Sequence, residues 1–152
     1  MSSSCHFRTI DTPIGSVLAI VENDALIGLD FIDDIYGRSD HKILLSLEEQ
    51  LMEYFAKERE VFTIPLSPLG TTFQKGVWDT LLKIPYGSKI SYKKEAELFG
   101  DPKASRAVAN ANGRNPISIL IPCHRVVSSD GTIGGYSGGV WRKEFLLLLE
   151  NS

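Results

Sequence analysis

Two short turn signals decide how the first part of this chain folds. Residues 5–11 alternate between polar and apolar, Thr12-Pro13-Ile14-Gly15 reads as a turn, and residues 16–22 are apolar and branched. Asn23-Asp24 turns again, and residues 25–31 continue in the same manner. Strands joined by turns this short pair with their neighbours, so the segment reads as a small antiparallel meander. Residues 42–57 follow as a helix, with Ile43, Leu44, Leu47, Leu51, Met52 and Phe55 spaced for one face and acidic residues between them. Residues 61–66 are expected to return to the sheet as an edge strand, since Pro65 is tolerated at an edge and not in a centre. Ser67-Pro68-Leu69-Gly70 then reads as a linker, dividing the chain into an α/β N-terminal domain, residues 1–68, and a second domain, residues 69–152.

The second domain reads as mainly helical. Thr72 is placed to cap a helix running to about residue 83 with Phe73, Val77, Trp78, Leu81 and Leu82 on one side, and Ile84-Pro85-Tyr86-Gly87 ends it. A short helix over 91–99, the Gly100-Asp101-Pro102 turn and a helix over 103–112 together make a helix-turn-helix candidate. An ordinary αα-corner has the same outline. The second helix favours the DNA-binding form, because Ala104, Ser105, Ala107 and Ala109 with the single Arg106 suit close approach to a nucleic-acid backbone better than they fill a core.

Charge is distributed to match. The net charge of −3 conceals five basic against twelve acidic residues over 1–70, nine against four over 71–127, and two against three over 128–152. A basic segment within an acidic chain would hold a polyanion on one face and repel it elsewhere. The apolar share of 43% is enough for a core, and no run approaches the roughly 18–20 apolar residues of a membrane helix. The N-terminal MSSSCHFRTI lacks a signal pattern. A soluble monomer is therefore expected, cytoplasmic or, in a eukaryote, nuclear, with no membrane partner. Cys5 and Cys123 read as free thiols. Cys5, His6 and His41 do not have metal-ligand spacing, so no metal is expected.

The chemistry concentrates near Cys123. After Arg114-Asn115-Pro116, the apolar run 117–121 is too short for a helix and is expected to carry Pro122-Cys123-His124-Arg125 from the interior to a pocket wall. An ordinary thiol is only a few per cent ionised at neutral pH, and His124 or Arg125 beside it would raise that fraction. Adjacency alone does not establish a catalytic pair, because neighbouring side chains in extended chain point opposite ways.

A longer pattern resolves the ambiguity. Ile121-Pro122-Cys123-His124-Arg125-Val126-Val127 resembles the signature of the O6-alkylguanine-DNA alkyltransferases. Phe73-Gln74 with Trp78, Ile84-Pro85-Tyr86-Gly87, Ile90-Ser91-Tyr92, Pro102 to Val108, Asn115-Pro116 and Tyr136-Ser137-Gly138-Gly139 resemble further landmarks of that family in order. The likeness is strong over 71–150 and looser over 1–70, where it rests on the Thr12-Pro13-Ile14-Gly15 turn and the meander-plus-helix layout.

The resemblance implies an RNase H-like N-terminal domain and a C-terminal domain holding the helix-turn-helix and the active site. It implies a single-turnover repair protein that flips O6-alkylguanine, with O4-alkylthymine as the second candidate lesion, out of duplex DNA and keeps the alkyl group on Cys123. His124 would take the thiol proton through a water, a glutamate of the C-terminal helix would orient His124, and Asn115 would brace the active-site turn. Tyr92 would hydrogen-bond or protonate the guanine ring. Arg106 would replace the extruded nucleotide in the stack, with Ala104, Ser105 and Ala109 in the minor groove. Tyr136, Ser137, Pro116 and the backbone near Val126 would surround the flipped base. A non-catalytic binder of alkylated DNA is the alternative within the same fold, and a cysteine hydrolase is an alternative outside it. The first lacks the cysteine that this chain has, and the second needs an oxyanion site for which no constellation is visible.

Chemistry supports those roles. A thioether has no good leaving group, so sulfur would keep the alkyl group and no cofactor is called for. Flipping costs a few kcal/mol, less for an already weakened pair, and a wedge such as Arg106 offsets part of it. Ala109 stands where many members of the family carry glycine, and neither the zinc-ligand set of some relatives nor a phosphotriester-accepting domain ahead of residue 1 is recognisable, so repair without transcriptional regulation is expected. Counting from Tyr136-Ser137-Gly138-Gly139 places the orienting acid at Glu150. Glu144 lies about 240° away around the same helix, so the two cannot face one pocket.

Overall fold

A computed structural model describes residues 5–152; the N-terminal reading at residues 1–4 lies outside them. The chain divides into two compact units that meet between Leu69 and Gly70.

In the first unit, β1 (Cys5–Thr12), β2 (Gly15–Glu22) and β3 (Ala25–Ile32) form an antiparallel sheet in that order. Thr12 pairs with Gly15 and Cys5 with Glu22, so the first hairpin has the tightest closure its turn allows. The second closes through Asn23 and Asp24, both left-handed at φ 51° and 61°, as a two-residue turn that follows strand twist requires. Alternation buries Val17, Ala19 and Val21 along β2, and α1 (Lys42–Phe55) covers that face with Ile43, Leu44, Leu47, Leu51 and Tyr54. His41 caps α1, its Nδ1 accepting from the amide of Ile43 at 3.1 Å while Nε2 meets Asp24 at 3.1 Å.

The expected edge strand over 61–66 is not a strand. Only Leu66 bridges the sheet, parallel to Leu26, with Leu26 N–H donating to Pro65 O and Ser67 N–H to Leu26 O, both at 2.8 Å. The side chain of Gln50 takes the place of a ladder, accepting from Thr63 N at 2.9 Å and donating to Thr63 Oγ1 at 2.8 Å.

The second unit is helical: α2 (Thr72–Leu81), α3 (Tyr92–Phe99), α4 (Ser105–Gly113) and α5 (Val140–Glu150), with one parallel pair, β4 (Ile90–Ser91) against β5 (Val126–Val127). Thr71, not Thr72, caps α2. Its Oγ1 accepts from Gln74 N at 3.1 Å while Gln74 Oε1 accepts from Thr71 N at 3.0 Å. A capping box needs Glu or Gln three residues on, and Thr72 has Lys75 there. The helix-turn-helix is α3, a left-handed Gly100 (φ 105°) and α4. Helix α4 starts at Ser105 because Asp101 holds Lys103 N in a turn at 3.1 Å. Trp78 of α2 is buried against α4, its indole N–H donating to Ala111 O at 2.9 Å. Phe73 and Leu82 remain 38% and 46% exposed, so the fully buried side of α2 is narrower than its sequence suggests. No helix among the described residues is long and apolar enough to cross a membrane.

Candidate active site

The run 117–121 is buried throughout and turns on itself through left-handed Ile119 (φ 73°). It delivers Cys123 into a single turn of 3-10 helix, Cys123–Arg125. Successive side chains on such a turn diverge by about 120°, so Cys123, His124 and Arg125 enter three different environments.

Cys123 is 8% exposed and lines a pocket of about 210 Å³ with Tyr92, Ala109, Asn112, Gly113, Gly135, Tyr136 and Ser137. Its Sγ accepts a hydrogen bond from Asn115 Nδ2 at 3.3 Å, and the same amide nitrogen donates to Ile121 O at 2.8 Å. Asn115 Oδ1 accepts from Ile117 N at 3.0 Å, so one side chain holds both ends of the turn and the sulfur. Burial pushes the thiol up, while the Asn115 bond and the charge of Lys143 pull against it. The resting sulfur is a neutral thiol.

His124 is fully buried, with Nε2 2.7 Å from Glu150 Oε2. Burial lowers its pKa against the opposing pull of Glu150, so the ring is neutral and Nε2 carries the proton that Glu150 accepts. Nδ1 is thereby left as a basic nitrogen, buried and without a partner among the described residues.

The guanidinium of Arg125 turns away from the thiol. It grips Glu150 through Nε at 2.8 Å and Nη2 at 3.0 Å and donates to Ile84 O through Nη1 at 2.7 Å. The expectation that Arg125 supplies charge to the sulfur is corrected here, since its donors are committed elsewhere and the cation acting on Cys123 is Lys143 of α5. Glu150 also accepts from Gly87 N at 3.4 Å, which gives the Ile84-Pro85-Tyr86-Gly87 turn a second task beyond ending a helix. Glu144 is exposed.

Tyr92 opens α3 at the pocket edge, its phenol raised in pKa by burial against a backbone hydrogen bond from Gly135. It is therefore a neutral proton donor at neutral pH. Ala109 lines the pocket, whereas Ala104 caps α4, Ser105 begins it and Arg106 projects exposed from its first turn. Tyr136 and Ser137 also line the pocket. Pro116 and Val126 are not among the lining residues, because Val126 of β5 is buried as it pairs with Ile90 of β4, and Pro116 sits half-buried beside Asn115.

Sequence reasoning passed over Lys143, Glu95 and Asn112. All three are buried, and Lys143 Nζ donates to Gly135 O at 3.0 Å and lies 5.7 Å from the centroid of the Tyr92 ring. A lysine and a glutamate within helical runs ordinarily read as solvated positions, and Arg142 and Glu144 on either side of Lys143 reinforce that reading.

Residues 5–68 match the 6-O-methylguanine DNA methyltransferase ribonuclease-like domain, and residues 72–152 match the DNA binding domain of the same family. The chain is 43% identical to a methylated-DNA–protein-cysteine methyltransferase of Mycobacterium bovis over 97% of this chain and 93% of that one. It is 40% identical to one from Methanosarcina acetivorans, over 97% and 99% respectively. A crystal structure of the Mycobacterium tuberculosis OGT in complex with DNA superposes with a TM-score of 0.89 at 42% identity, covering 96% of this chain and 92% of that chain. Two family domains that together span nearly all of the described residues, with full-length relatives at this identity, establish that the chain belongs to the methylated-DNA–protein-cysteine methyltransferases.

Proposed function

We propose that this protein removes alkyl groups from O6 of guanine in duplex DNA and keeps each one on Cys123, so that one molecule performs one repair. The observation that carries the reading is the nearly buried thiol on the pocket wall, held by Asn115 and followed directly by a histidine that Glu150 fixes with a free basic nitrogen. A pocket of about 210 Å³ takes a base and not a duplex, so the target nucleotide is flipped into it.

Helix α4 lies in the minor groove, where Ala104, Ser105 and Ala109 permit close approach and exposed Arg106 fills the gap in the stack. Tyr136, Ser137 and Ala109 enclose the base, with Pro116 and the backbone at Val126 supporting the wall. His124 Nδ1 accepts the thiol proton through a bridging water. The sulfur lone pair forms the S–C bond as the C–O6 bond breaks, and the bonding pair stays on guanine. Tyr92 supplies a proton to the ring and regains one from the proton that Cys123 released. Thiol and alkylguanine thus become thioether and guanine with no oxidant or reductant. The protein acts as a monomer.

The test is a mass spectrum of the protein mixed with an O6-methylguanine duplex. The expected result is the mass of one methyl group on the peptide containing Cys123, persistent, with no more than one transfer per molecule. An unchanged mass with bound DNA would indicate a damage-binding protein, and released product with unchanged protein would indicate turnover; either overturns the proposal.

A further inference from the structure

The transfer mechanism leaves a buried carboxylate below the pocket unused. Glu95 of α3 is fully buried, and its Oε1 accepts from Asn112 Nδ2 at 2.7 Å. Glu95 Oε2 and Asn112 Oδ1 have no hydrogen-bond partner among the described residues. Unpaired buried acceptors are costly, and a proton on Glu95 supplies a missing donor. In keeping with that, burial pushes the carboxyl up to about 7, with the Asn112 bond and Lys143 acting against the rise. Lys143 is as deeply buried, and burial pulls its ammonium down to about 8 while Cys123 and Glu95 pull it back up. The same ammonium favours the thiolate of Cys123, and an ionised Glu95 disfavours it.

The surrounding elements bring little else to bear on Glu95. Lys75 and Asp79 of α2 and Arg106 of α4 are exposed, Glu144 of α5 is exposed, and Glu150 is engaged by Arg125 and His124. On its own helix, Lys93, Lys94 and Glu97 are exposed, and Tyr92 is a neutral phenol.

We propose that Glu95 is a positioning residue for alkyl transfer: it competes with Cys123 for the ammonium of Lys143, so that the thiolate forms beside a protonated Glu95 and is opposed by an ionised one. This rests on the reading of Cys123 as the alkyl acceptor. The two ionisations are then coupled, and neither proton leaves independently of the other. As pH rises through the neutral range, loss of the Glu95 proton works against loss of the thiol proton.

The experiment follows iodoacetamide alkylation of Cys123, read by peptide mass, and single-turnover methyl transfer from an O6-methylguanine duplex, both across pH about 6 to 9, a range that brackets the Glu95 ionisation at about 7. Glu95→Gln keeps the acceptor for Asn112 and removes the charge. Its alkylation profile is expected to lie roughly half a pH unit lower than that of the wild type, giving about threefold faster alkylation near neutrality. Glu95→Leu shifts in the same direction. The wild type alone provides a reading that no folding defect can blur: its logarithmic rate rises with less than unit slope around pH 7, where Glu95 titrates and below the Lys143 ionisation at about 8, whereas an independent thiol gives unit slope there.

Coincident profiles, a shift to higher pH, or unit slope in the wild type would overturn the coupling whether or not methyl is transferred. A displaced iodoacetamide profile in a wild type that accepts no methyl supports the coupling and overturns the assignment of Cys123 as alkyl acceptor instead.

Discussion

His124 Nε2 and Glu150 Oε2 lie 2.7 Å apart with both side chains removed from solvent. The contact decides which ring nitrogen of His124 is basic, and it binds the last residue of α5 to the turn that carries Cys123. A terminal glutamate free to fray could do neither. Glu150→Gln is therefore expected to slow single-turnover transfer at neutral pH, with the loss shrinking as pH approaches the thiol's own ionisation. Because the change also leaves Arg125 buried beside a neutral amide, stability should fall by about 3–5 kcal/mol, and unfolding is measured alongside the rate. Exposed Glu144→Gln should leave both nearly unchanged. A rate loss in Glu144→Gln with none in Glu150→Gln would reverse the assignment.

Cys123→Ala is expected to abolish transfer while lesion binding persists, since flipping and groove contacts do not use sulfur. The thiol is a small part of the pocket lining, and Asn115 keeps its bond to Ile121 O without it. Gel shift and transfer assay on the same preparation give the answer. Transfer that survives the change would move the acceptor to Cys5.

The outline of the fold was legible in the sequence because its signals are local. The two turns at 12–15 and 23–24 fix the meander, and the breaks at Ile84-Pro85-Tyr86-Gly87 and Gly100-Asp101-Pro102 punctuate the helices, although the cap of α2 falls at Thr71 and not at Thr72. The failures were of a different kind. Residues 61–66 looked strand-like, but Gln50, remote in sequence, took Thr63 and left a single bridge to the sheet. Arg125 looked like the thiol's cation by adjacency, but its partners Glu150 and Ile84 come from elsewhere in the chain. Glu95 and Lys143 carried no local mark of burial, since what buries them is the packing of α3, α4 and α5 around the pocket. Long-range partners set the electrostatics of the site, and periodicity does not report them.

Arg106 stands exposed at the start of α4 and outside the pocket lining, which suits a wedge and not a chemical role. Arg106→Ala should slow repair of duplex DNA far more than reaction with the free alkylated base, because only the duplex needs its stack held open. Duplex binding should weaken with salt along a straight log–log line, with a smaller slope in the variant. Equal losses on duplex and free base would place Arg106 in the chemistry or the fold.

Two buried groups tilt stability with pH in opposite directions. His124 has its folded pKa lowered, chiefly by burial, from an unfolded value near 6.5. Above about 6.5 both states hold a neutral ring; below it the unfolded chain takes the proton first, so stability falls with falling pH by up to about 1.4 kcal/mol per unit. Glu95 has its folded value raised to about 7, again chiefly by burial. The unfolded carboxyl ionises from about 4.5 upward while the folded one keeps its proton, so stability from this group falls with rising pH until both states are ionised. Between pH about 5 and 6.5 the two slopes oppose each other. Glu95→Gln should therefore lose stability on acidification through that window more steeply than the wild type, and His124→Asn should lose less or gain. Urea unfolding at several pH values measures both differences, and subtracting the wild-type curve removes the surface carboxylates common to all three proteins. Parallel curves for the wild type and Glu95→Gln would show that Glu95 is ionised in the folded protein across the whole window, and a curve for His124→Asn parallel to the wild type would show that the buried ring is already charged.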